Sequence, residues 1–153
     1  MKSAPAARVL RIVAAVSGVY DVAVGLALLA ARGTLQDLFG LPAPAPPIHA
    51  DLNGLFLLAV GIGYVLPWRH PWRYRGYLWV MGPLLKGTGA LAFIADHAAR
   101  QSPDSFLLFA LGDGGLALVT LAALCLTREP TGWMTAAEPQ GRPGGGSSGG
   151  PLA

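Results

Sequence analysis

The sequence predicts an all-α fold: a four-helix transmembrane bundle with both termini in the cytoplasm. Three observations carry this reading. Hydrophobic residues make up 53% of the 153 residues and charged residues only 12%, against about 25% charged in soluble domains. So few charges cannot cover a soluble surface of this size. Four stretches, at about 9–31, 48–67, 76–95 and 105–126, each approach the roughly 20 apolar residues that cross bilayer hydrocarbon at 1.5 Å per residue. The basic residues between them fall unevenly. Lys2, Arg8, Arg11, Arg69, Arg73, Arg75, Arg128 and Arg142 lie on one side of a four-span arrangement, and only Arg32 and Arg100 on the other. The positive-inside rule puts the richer side, with both termini, in the cytoplasm, and the chain is read as a multi-pass protein of an inner membrane.

The first span competes with a signal peptide, because Lys2, Arg8 and Arg11 precede it. Secretory apolar cores run about 7–15 residues, and this one is longer and contains Asp21. It is therefore read as a helix that stays. Ala14, Gly18, Asp21 and Gly25 recur at helical spacing. Such a small-residue row lets helices approach closely in lipid, so Asp21 points at a neighbour. The connection Arg32–Pro47 carries Leu35, Leu38, Phe39 and Leu41, which suit a short amphipathic turn on the membrane surface, before a Pro-rich end.

Span two opens with His49, Asp51 and Asn53, and Gly54 and Gly61 share the Asp51 face. Tyr64 and Trp68 are expected at its interfacial end. The following loop, WRHPWRYR, has the arginines and aromatics of a cytoplasmic headgroup layer. Span three places Gly82, Lys86, Gly89, Phe93 and Asp96 on one face, and Pro83 predicts a kink near its start. Span four follows a short loop, with Asp104 or Ser105 as the expected helix cap. Its stripe is Asp113, Ala117, Thr120 and Leu124. Residues 128–153 are Gly/Pro/Ser-rich and cannot bury apolar surface, so they are expected to form a disordered tail.

The polar residues inside the spans are the candidates for function. Asp21, Lys86 and Asp113 fall within roughly 5 Å of the midplane by residue counting, where a charge is costly and needs a partner. They form the expected buried charged centre, a ligand or proton site or else an ion pair that locks helices. A second set, His49, Asp51, Asn53, Asp96 and His97, lies toward the outer face. Imidazole and carboxylate are ordinary metal ligands, yet adjacent Asp96 and His97 cannot both point inward from one helix. Snorkelling and capping account for this set, and no metal is expected. The chain has no GxSxG, no HExxH and no phosphate loop. Cys125 is its one cysteine, which excludes an intrachain disulfide. The basic loop flanks apolar spans, so nucleic acid is not an expected partner.

Two segments carry a family resemblance: the run NGLFLLAVGIGYVL at Asn53–Leu66 with the charged aromatic loop after it, and Asp-Gly-Gly-Leu-Ala at Asp113–Ala117. With these the chain resembles the DoxX-like small four-helix membrane proteins of bacteria. Asp51 and Asn53 stand where such proteins often have an arginine. The resemblance implies a four-helix fold and an association with quinone-linked or thiol-redox membrane complexes, and it assigns no catalytic residue.

The functional expectation is a small accessory or lipophilic-ligand-binding subunit, without enzymatic activity, in contact with membrane lipid. It is expected to act as a homo-oligomer or within a membrane complex, with quinone or lipid as the candidate ligand and no other cofactor. The alternatives are a proton-coupled transporter working as an oligomer and an intramembrane enzyme acting on a quinone or sterol-like substrate.

Overall fold

A computed structural model describes residues 3–127. Lys2, Arg128, Arg142 and the tail expected to be disordered lie outside them. The described residues are all-helical apart from short connections, with no strand among them. They run α1 (Ser3–Ala30), α2 (Arg32–Phe39), α3 (Ile48–Gly63), α4 (Val65–Arg69), α5 (Arg75–Trp79), a π-helical segment (Val80–Lys86), α6 (Gly87–Arg100) and α7 (Ser105–Leu126). Four continuous helical stretches are long and apolar enough to cross a membrane: Ala4–Ala30, Ile48–Arg69, Arg75–Arg100 and Ser105–Leu126. Large apolar side chains cover the outside, Val19 being 69% exposed, Ile62 64% and Leu118 69%. Such a surface is at home in lipid and not in water.

Close packing begins with α1 against α3. A Cβ added at Gly25 would stand 2.8 Å from the Gly54 carbonyl oxygen, and one at Gly61 would stand 2.9 Å from the Gly18 carbonyl oxygen. Seven residues forward on α1 correspond to seven back on α3, so the two helices run antiparallel with their backbones touching. The glycine rows on the two spans meet face to face.

Each end of the molecule has its own apolar cluster. At the arginine-rich end, Leu10, Val13, Ala14, Val60, Tyr64, Leu78, Ala123 and Leu124 form a core drawn from all four spans. Tyr64, expected at the interface, belongs here instead, together with Tyr77. Tyr64 is 1% exposed, and the Tyr77 hydroxyl donates to the Val60 carbonyl at 2.6 Å with its ring edge-on to Tyr64. Trp72 packs on the same core. Arg75 also departs from a headgroup role. Its guanidinium donates to the carbonyls of Leu124 and Thr127, the latter at 2.7 Å, and so caps the end of α7. At the other end Phe93 stacks with Phe106 and Phe109, and Phe39 reaches Phe109 at 5.9 Å, which ties α2 to α7.

The first connection is more ordered than a turn. Arg32–Phe39 is an eight-residue helix, closed by Gly40 at φ 61° with the Leu41 N–H on the Gln36 carbonyl. Arg32 bridges from it to the start of α3, donating to the Pro47 carbonyl at 3.0 Å and pairing with Asp51 at 3.1 Å. The expected cap of span four is absent. Asp104 makes no side-chain cap bond, and the Ser105 hydroxyl is buried without a partner. Backbone bonds from Phe106 to Pro103 and from Leu107 to Asp104 start the helix instead.

Candidate functional site: a charged centre between two apolar ends

Span three brings Lys86 to the middle through an irregular turn. Pro83 has no N–H to donate and its ring crowds the preceding turn. The chain passes Pro83 as a π-helical stretch over Val80–Lys86. The Thr88 hydroxyl donates to the carbonyls of Leu84 and Leu85, at 2.6 and 3.1 Å. Lys86 ends this stretch and is 4% exposed. Gly82, one turn earlier, lets the segment press against Thr120 of α7, so that nothing larger fits between them.

Three elements meet at the ammonium group. Lys86 Nζ forms a close ion pair with Asp21 Oδ1 of α1 and a second at 3.2 Å with Asp113 Oδ1 of α7. It also lies 4.8 Å from the centre of the Tyr20 ring, a cation–π distance. Two carboxylates thus face one ammonium. Gly112, next to Asp113, leaves the space that the Tyr20 hydroxyl occupies, since a Cβ there would stand 2.9 Å from it.

The two carboxylates differ in their surroundings. Asp21 is fully buried, and its Oδ2 accepts no hydrogen bond. Asp113 is 22% exposed, and only its Oδ1 is engaged by Lys86. Its Oδ2 faces the space beside Gly89, where an added Cβ would stand 3.9 Å from that oxygen and meet nothing else within 4 Å. Ser17, one turn before Asp21, and Tyr64 are also buried beside the centre. Neither hydroxyl completes a hydrogen bond of normal geometry, although the two lie close enough to interact.

Residue counting by depth brought Asp21, Lys86 and Asp113 to one level, and the structure puts them in contact. It did not find Tyr20, Ser17 or Tyr64. Ser17 was within reach, because it precedes Asp21 by four residues on the same small-residue face. Tyr64 was hidden by its place near a helix end, which reads as interfacial.

The outer polar set does not form one group. Asp51 pairs with Arg32. Asp96 takes Arg100 at 2.7 Å and the Ser102 hydroxyl. The His97 Nδ1 bonds the Ser102 carbonyl at 2.7 Å, with its Nε2 3.8 Å from Asp104. His49 and Asn53 are exposed. Among the described residues no three His, Cys, Asp or Glu side chains are placed to share a metal ion. These residues gather at helix ends.

Comparison of the chain with protein-family models, with curated proteins and with solved structures returns no match.

Proposed function

We propose that the chain is a small multi-pass protein of a bacterial inner membrane, an accessory subunit that holds a lipophilic ligand at Asp113. The observation that carries this reading is the asymmetry of the centre. Asp21 neutralises Lys86 in full burial, which leaves Asp113 with a free oxygen, partial exposure and adjoining space at Gly89. A carboxylate so placed accepts a hydrogen bond from a hydroxyl on an apolar body, the chemistry of a quinol or a sterol-like alcohol. Among the described residues at Asp113 the neighbours are Lys86, Asp21 and Tyr20, groups that suit holding a hydroxyl. The DoxX-like resemblance points toward the same ligand class.

Protein purified in mild detergent is expected to carry a hydroxylated lipophile, detected by native mass spectrometry. Asp113→Ala should remove it, because the acceptor is gone. Gly89→Leu should remove it as well, by filling the space while keeping the carboxylate. A ligand retained in both variants, or none in the wild type, would defeat the proposal. Proton uptake by liposomes containing the protein, lost in Asp113→Ala, would favour the carrier reading instead.

The same proposal places both termini in the cytoplasm. Arg8, Arg11, Arg69 and Arg73 are exposed at one end of the described helices, with Arg32 and Arg100 at the other. Terminal fusions to a reporter active only outside the cytoplasm should stay silent at both ends. Activity from either end would contradict this orientation.

A further inference from the structure

A second feature lies on the outer surface, open along the side of α1 and backed by Tyr64. Between α1 and the α3–α4 pair runs an open groove of about 550 Å³, with Ala15, Gly18, Val22, Gly61 and Trp68 among its lining residues. It extends along α1 from Ala14 to Leu26, about 18 Å at the helical rise. The groove therefore suits a single extended acyl chain that enters from the arginine-rich end and runs along the helices past the level of Asp21.

The charge at its mouth selects the headgroup. The antiparallel register of Gly18 with Gly61 and Gly25 with Gly54, extended toward the N-terminus, brings Arg11 level with Trp68 and Arg69. Arg11 lies one turn beyond Ala14 and Ala15. Arg8 follows on the same stripe, seven residues before Ala15. All three arginines are exposed. Among the described residues at this end there is no carboxylate: every described aspartate lies at the centre or at the opposite end. Like charges at one level repel unless an anion sits among them.

We infer that this groove is a binding site for an anionic glycerophospholipid, its acyl chain along α1 and α3 and its phosphate between Arg11 and Arg69. A second copy of the chain fits less well. A dimer axis along the membrane normal would set the same arginines of both copies at one depth, and would add to the repulsion. A lipid phosphate removes it.

Delipidated protein in detergent, titrated with phosphatidylglycerol and with phosphatidylcholine of the same acyl chains, tests the site by native mass spectrometry. Phosphatidylglycerol should bind more tightly by roughly tenfold or more, given two arginines at the phosphate. Arg11→Gln with Arg69→Gln should erase that preference, and both positions are exposed, so the fold is not at stake. Ala15→Trp should block both lipids by filling the groove. Asp113→Ala should change neither affinity, which separates this site from the ligand proposed at the centre. Equal binding of the two lipids by the wild type, or a preference that survives the double arginine change, would overturn the assignment. So would a dimer that Ala15→Trp dissolves while lipid binding persists.

Discussion

Asp21→Ala is expected to lower stability by about 3 kcal/mol or more, whereas Asp113→Ala should cost about 1 kcal/mol. Breaking a buried ion pair by removing one partner typically costs about 3–5 kcal/mol, because the other charge is left uncompensated. Asp21 is fully buried and closest to Lys86, so its loss strands the ammonium beside a weaker partner. Asp113 lies 3.2 Å away and is partly exposed, and its loss leaves the tighter pair intact. The double change Asp21→Ala with Asp113→Ala should be worse than either, since Lys86 is then alone at a depth where a charge costs roughly 2.5–3.5 kcal/mol. Adding Lys86→Met to that double variant should recover much of the loss. Lys86→Met by itself should be mild, because a stranded aspartate can take a proton and become neutral. Thermal unfolding in detergent reads the series. If Lys86→Met fails to rescue the double variant, the three residues do not act as one network.

Much of this architecture could be read from residue order. Apolar length set the four spans, and helical spacing set which glycines face a neighbour, because both depend only on rise per residue and side-chain size. Depth counting likewise aligned Asp21, Lys86 and Asp113. What it could not supply was the inequality between the two acids. That depends on how α7 sits against α6, on Tyr20 crossing at Gly112 and on the gap at Gly89. Arg75 shows the same limit. Its sequence context, an arginine in a loop of arginines and tryptophans, is that of a headgroup contact. Only the fold brings the last carbonyls of α7 within reach of it. Pro83 was legible as a disturbance, but the π-helical turn around it, pressed on Thr120 at Gly82, was not.

The α1–α3 seam should be the least tolerant surface of the protein. A Cβ at Gly25 would meet the Gly54 carbonyl at 2.8 Å and the Leu58 nitrogen at 2.9 Å, and one at Gly61 would meet the Val22 nitrogen at 2.8 Å. These are backbone atoms, which no rotamer change can move aside. Gly25→Ala and Gly61→Ala are each expected to cost about 1–3 kcal/mol from overpacking, despite the gain of up to about 1 kcal/mol in helix propensity. Gly61→Leu should prevent close packing altogether. Gly115→Ala is the control, since an added Cβ there meets nothing within 4 Å, and it should be neutral or slightly stabilising. Detergent unfolding midpoints at or above the wild type for Gly25→Ala and Gly61→Ala would show that the two backbones do not touch. The seam also bears on the charged centre. Gly18 and Asp21 lie on one face of α1, so forcing α1 from α3 shifts the carboxylate away from Lys86. In a Gly61→Ala background the cost of Asp21→Ala should therefore shrink, a non-additivity of neighbouring sites that a double-mutant cycle measures. Strict additivity would mean that α3 holds α1 in the membrane without holding Asp21 on its lysine.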